Sequence, residues 1–334
     1  MNSPGIQQLF FQEIKSRLPS HISLVDKVAD VLNISIDSSY RRIRGEKSID
    51  FEELKTLSLY FKLSIDQFIH LQQNSVLFED HSMGDGTLLH YNVYLEALIR
   101  DLTYMNSLEH KTMYYLNKDV PIFHHFSSPA LTAFKSFFWV KSIMHDPEYA
   151  RESFSLDKYV PLFESNAKKI NQLYKQLPSV EIWNIESINS SIRQIEYYRN
   201  IGLFKNRQEI EVIYNSLEHV INEIEGYAET GEKKSPEKAL AKAGSYQIYI
   251  NEFILGDNTI MLEMDKNVAV YINHAVINYM LTRDLKFCSF TKDHFENIIK
   301  KSTPISNTNE KERTRFFNRI REKIQSRRLI ANGG

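Results

Sequence analysis

The sequence predicts a mainly α protein. It reads as a five-helix N-terminal domain, a central antiparallel helical bundle or hairpin stack, and a small α+β C-terminal module with an antiparallel sheet. Three observations carry that prediction. Apolar residues recur at helical spacing through most of the 334 residues. After residue 245 the period shifts toward two, with turn chemistry between short apolar runs. Two stretches poor in apolar residues and marked by Gly or Pro, "QQNSVLFEDHSMGDGT" and "YAETGEKKSPEKALAKAG", divide the chain. The expected layout is a first domain at 1–73, a linker at 74–87, helices over 88–230 and the α+β module over 245–334.

Composition bounds the answer. At 42% hydrophobic and 25% charged, with 20 Phe and 18 Tyr, the chain has the makings of packed cores and is long enough for two or three domains. A formal net charge of −1 provides no whole-molecule field toward nucleic acid or membrane, so any anion-binding surface must be local. The single cysteine, Cys288, allows no intrachain disulfide and no cysteine-rich zinc site, which fits a reducing compartment. The first residues lack the basic start and unbroken apolar run of a signal peptide, and no stretch approaches a membrane span. A cytoplasmic protein without a membrane partner is expected.

Taken in order, Ile6 to Leu18 forms a helix with Leu9, Phe10, Ile14 and Leu18 on one stripe, ended by Pro19. Ser23 caps a second, "LVDKVADVL", whose Leu24, Val28, Val31 and Leu32 share a face. Ser35 caps a third from about Ile36 to Arg44, stopped by Gly45, which reaches the left-handed conformation at little cost. "SIDFEELKTLSLYF" and "SIDQFIHL" supply two more.

The third helix is the informative one. Spacing places Ser39, Tyr40 and Ile43 inward with Ile36 near them, leaving Ser38 and Arg41 at the centre of the outward side, flanked by Asp37, Arg42 and Arg44. Guanidinium groups pair bidentately with guanine edges or grip phosphates, and a helix N-terminus offers N–H groups to a phosphate. The candidate DNA-binding set is therefore Ser35, Asp37, Ser38, Arg41, Arg42, Arg44 and Lys47. Residues 36 to 47 carry a local surplus of two positive charges. Such a surplus is modest, which argues for a dimer spanning two half-sites.

The succession Val28-Ala29, Leu32-Asn33-Ile34-Ser35, Gly45 and "FEELKTLSLYFKLSIDQF" resembles the Cro and lambda-repressor-like helix-turn-helix family, also called the xenobiotic-response-element type. Asn33 stands where that family usually has a turn glycine, and Ser39 where it usually has a bulky aliphatic residue. The second departure leaves open whether Arg41 or Arg42 lies deepest in a groove. Over about a fifth of the chain, the resemblance implies binding to double-stranded DNA at promoters, homodimerisation and a role in transcription regulation.

Beyond the linker, helices are expected at Leu88 to Tyr115, Pro129 to Met144, Leu156 to Leu177, Val180 to Asn200 and Arg207 to Tyr227. Three antiparallel strands follow around Tyr246 to Ile250, Ile260 to Met264 and Val268 to Ile272, then helices from Asn273 to Thr282, Lys292 to Lys300 and Asn309 to Arg328. The last carries eight bases and three acids between Glu310 and Arg328, and reads either as a docked terminal helix with a solvated polar face or as an added contact to the DNA backbone. Phe134, Phe137, Phe138 and Trp139 read as core packing or as the wall of a pocket for a small-molecule or peptide effector.

Catalytic patterns do not emerge. There is no phosphate-cradling glycine loop, nucleophile elbow or His-Glu-x-x-His run, and His124-His125 has no evident third metal ligand. The reading is no enzyme, no cofactor and no metal, with Cys288 an inert buried thiol. The alternative is a helical protein-interaction scaffold whose helix-turn-helix unit is a degenerate docking domain.

Overall fold

A computed structural model describes residues 5–19, 22–65, 76–81, 88–234, 243–253, 256–265, 267–274 and 278–332. It divides into two compact units, Met1–Leu77 and Phe78–Gly334.

In the first unit, α1 (Ile6–Arg17), α2 (Leu24–Leu32), α3 (Ile36–Arg44) and α4 (Phe51–Phe61) enclose a small core of Phe10, Phe11, Ile14, Val28, Leu57 and Leu63. Their ends are set by the expected residues. Ser23 and Ser35 accept from Asp26 N and Ser38 N, Asp50 and Glu53 form a capping box, and Asn33 and Gly45 close α2 and α3 in the left-handed region at φ 53° and 80°. One packing detail differs on α1: Phe11 is buried while Leu9 faces out. The expected fifth helix falls largely on residues 66–75, outside the described residues.

The second unit is built on one mixed eight-stranded sheet, in the order β1-β7-β6-β5-β2-β3-β4-β8. Its strands are β1 (Glu79–His81), β2 (Lys111–Leu116), β3 (Ser179–Trp183), β4 (Tyr246–Ile250), β5 (Thr259–Met264), β6 (Asn267–His274), β7 (Asn278–Thr282) and β8 (Thr303–Pro304). Strands β2, β3 and β4 run parallel, and the others pair antiparallel. The helices are α5 (Leu88–Ser107), α6 (Ile122–His125), α7 (Pro129–Phe138) with a π-helical turn at Trp139–Ile143, α8 (Leu156–Gln176), α9 (Asn189–Asn200), α10 (Arg207–Thr230), α11 (Leu285–Lys300) and α12 (Glu310–Asn332). One face of the sheet shares a large aromatic core with α5 to α10 and α12, and α11 covers a smaller cluster around Met261, Val270 and Phe295 on the other.

This architecture corrects the expected division at several points. The region at 88–230 is no separate bundle, because β2 and β3 arise within it and pair with β5 and β4 from the region at 245–334. "KTMYYL" and "SVEIW", expected inside helices, are central strands, and "NYMLT", expected at a helix end, is β7. β4 runs parallel to β3 and is no member of a three-stranded antiparallel meander. Part of the expected linker forms β1. No helix among the described residues is long and apolar enough to cross a membrane.

Candidate nucleic-acid interface

The surface of α3 is fixed by what its inner face touches. Ser39 is fully buried, and its hydroxyl donates to the carbonyl of Val25 on α2 at 2.9 Å. A small residue with one well-placed donor lets the two helices approach closely, which explains why an aliphatic side chain is dispensable here. Arg42 is also inside, only 4% exposed. Its Nε donates to Glu53 Oε2 at 2.9 Å, one terminal nitrogen to Oε1 at 2.5 Å and the other to the Ser38 carbonyl at 3.1 Å. This bidentate pair joins α3 to the capping box that starts α4, raising the Arg42 pKa and holding the Glu53 carboxyl below its usual range through the shared hydrogen bonds.

Two expectations therefore change. Tyr40 and Ile36 face outward, at 45% and 55% exposure, and Arg42 leaves the outward set for a structural role. The inner face is turned by roughly 60° from the expected one. The rotation follows from chemistry the helical wheel could not weigh: Glu53 supplies a partner for a buried guanidinium.

The remaining candidates stay at the surface. Ser35, Asp37, Arg41, Arg44 and Lys47 are exposed, and Ser38 is half-buried. Arg41 stands near the centre of the exposed face and has no carboxylate partner among the described residues. Arg44 lies 5.5 Å from the Tyr40 ring centroid and 3.6 Å from the exposed Glu46 carboxylate. The Ser35 hydroxyl is occupied as the cap of α3.

Two residues that sequence reasoning did not single out hold this face in place. Gln7 Nε2 donates to the carbonyls of Arg42 and Lys47 at 2.7 and 2.8 Å, and its Oε1 accepts from Ile49 N. Gln8 Nε2 donates to the Arg44 carbonyl at 2.9 Å. Together they satisfy the carbonyls that the end of α3 leaves free and fix the turn carrying Lys47. The signal was a pair of long amides on the half-buried edge of α1, but their target 35 to 40 residues away is invisible in local pattern.

In the second unit, the other sequence candidates resolve into structure. His124 Nε2 meets the fully buried Glu181 carboxylate at 2.9 Å, which also accepts from Tyr174, from Trp183 Nε1 at 2.7 Å and from Tyr246 at 2.8 Å. Burial would raise this carboxyl, yet His124 and the surrounding donors hold it down to about 2. His125 is buried apart from it, with burial holding its pKa well below the usual value and neither ring nitrogen hydrogen-bonded. Among the described residues no group of three His, Cys, Asp or Glu side chains could hold a metal.

Burial also pushes the Cys288 thiol up, to about 11. Phe134, Phe137, Phe138 and Trp139 are packed inside the main core, where Phe134 and Phe137 are wholly buried, so of the two readings core packing is the one the structure shows. The basic helix α12 is docked through Phe316, Phe317, Ile320 and Ile324, and its bases meet acids of the same unit: Arg321 with Glu225, Lys323 with Glu186, Arg327 with Glu196 and Arg328 with Glu211. Those pairs leave α12 little free charge for a DNA backbone.

Comparison with protein-family models, curated proteins and solved structures gives no match for the chain.

Proposed function

We propose that the protein is a sequence-specific DNA-binding transcriptional regulator of the cytoplasm, in which α3 enters the major groove and a second copy occupies a neighbouring half-site. The observation that carries this reading is the outward face of α3: Arg41, exposed and without a carboxylate partner among the described residues, flanked by Arg44 and Lys47 on a helix whose inner face is tightly held. A rigid helix that presents a free guanidinium suits bidentate contact with a guanine edge. Asp37 and Ser38 stand nearer the helix N-terminus, where an adjacent base or phosphate would lie.

With Arg42 turned inward, the face carries less positive charge than the sequence promised. One copy then binds weakly, and useful affinity requires two half-sites about one helical turn apart. The second unit supplies dimerisation and, where a signal is sensed, its binding site.

The test is the affinity of the purified full chain for an unselected DNA duplex as salt rises. A regulator loses affinity steeply, and Lys47→Ala lowers the slope of log affinity against log salt by about one. Absence of duplex binding even at low salt sinks the proposal and favours the interaction scaffold.

A further inference from the structure

We infer that the second unit holds a binding site for a small neutral molecule, hydrophobic but carrying one hydrogen-bond acceptor, in the cavity between α5 and the sheet face of β2, β5, β6 and β7. The cavity has a volume of about 310 Å³. Leu98 and Leu102 of α5 form one wall, and Met113, Ile260 and Leu262 of the sheet form the other. That size sits at the small end of ligand pockets, and mainly apolar walls with few polar groups are what such pockets use to hold a hydrophobic body.

The polar character of the ligand follows from what the lining leaves unused. Asp80, His90 and Asp101 border the cavity, and each is already engaged within the chain. None of the described lining residues is Lys or Arg. An ion would exchange its hydration for mostly apolar walls there, a loss that a neutral molecule avoids. Tyr279 is engaged too, its hydroxyl paired with that of Tyr115 at 3.3 Å. Tyr94 is the exception. It lines the cavity half-buried, near enough to feel the Tyr279 phenol, and its hydroxyl has no hydrogen-bond partner among the described residues. Burial raises the Tyr94 phenol well above its ordinary value, so it keeps its proton and remains a donor at neutral pH. One donor in an otherwise apolar cavity suits a ketone, ether or ester oxygen on a hydrophobic molecule. The site is distinct from the packed Phe134 cluster, and the inference does not depend on whether the first unit binds DNA.

Isothermal titration of the full chain tests it with four probes of related shape: the ketone 4-phenylbutan-2-one, the hydrocarbon ethylbenzene, the cation 4-phenylbutylammonium and the anion 4-phenylbutyrate. The expected result is one saturable site for the ketone, with both ions at least roughly tenfold weaker. Tyr94→Phe weakens the ketone roughly fivefold and leaves ethylbenzene, which has no acceptor, unchanged. Ala97→Trp, which fills the cavity, abolishes both. Either ion binding as tightly as the ketone, an unaltered ketone affinity in Tyr94→Phe, or no saturable heat from the ketone overturns the inference. Tyr94→Phe removes a single oxygen, so it decides the matter even where Ala97→Trp fails to fold.

Discussion

Replacing Arg42 with alanine removes the guanidinium that ties α3 to the start of α4 and leaves the Glu53 carboxylate facing the core edge without its partner. Taking one member from a buried pair costs about 3–5 kcal/mol. The Glu53 side chain keeps 18% of its surface exposed, so water relieves part of this and about 2–4 kcal/mol is expected. A domain this small has only a few kcal/mol in hand, so α3 and α4 should open roughly thirtyfold more often or worse.

Hydrogen exchange followed by mass spectrometry on peptides covering residues 24–61 of the full chain reads this directly, and tryptophan fluorescence provides an internal control because Trp139 and Trp183 both lie in the second unit. Arg42→Met with Glu53→Met should recover most of the protection, short of about 1 kcal/mol for the lost capping box. The pH dependence has a fixed sign. Because Glu53 is held below its usual value in the folded state, its contribution is complete above the unfolded carboxyl pKa and fades as pH falls through the lowered one. Protection of α3 and α4 should therefore fall in acid for the native chain and respond less in Glu53→Gln. Unchanged protection in Arg42→Ala would refute the inward assignment and return Arg42 to the candidate DNA-binding face.

Three further outcomes follow. Glu181→Gln leaves the donors around the core carboxylate poorly matched and should lower second-unit stability by about 3–5 kcal/mol, read by tryptophan fluorescence in denaturant. The native chain should show the companion acid effect: the contribution of Glu181 is complete above the ordinary carboxyl range and is lost toward pH 2, where its lowered pKa lies. Gly244→Ala would set a Cβ 2.5 Å from the Leu177 carbonyl, and a cost of about 2 kcal/mol or more should appear in the same denaturation curve. Lys62→Gly removes a left-handed lysine at φ 52° that ends α4 and should raise first-unit stability by about 0.5–1 kcal/mol in hydrogen exchange, at the expense of some unfolded-state entropy.

The first unit was largely legible because its helices carry their own start and stop chemistry: Ser23, Asn33, Ser35, Gly45 and Asp50 act where local rules put them. What local rules missed was the turn of α3 about its axis, which Glu53 decides from eleven residues away. In the second unit the long amphipathic helices were visible, but β2 and β3 were not. Both are interior strands, and Ser179–Trp183, although buried at every position, alternates polar and apolar over only Ser-Val-Glu-Ile, too short a run to separate from the helical patterns around it. Glu181 compounds this, since a charged residue in mid-segment reads as a solvated helix face, and its four core donors come from elements spread over more than a hundred residues. The cavity was equally hidden, because it lies between α5 and strands contributed by distant segments.

Selection of bound duplexes from a randomised pool, run in parallel with the native chain and Arg41→Ala, tests the central claim most directly. A regulator that reads DNA through α3 enriches paired half-sites about one helical turn apart, and Arg41→Ala loses preference at one guanine position per half-site at about 1–3 kcal/mol. A native chain that enriches nothing, or a motif identical in Arg41→Ala, contradicts it.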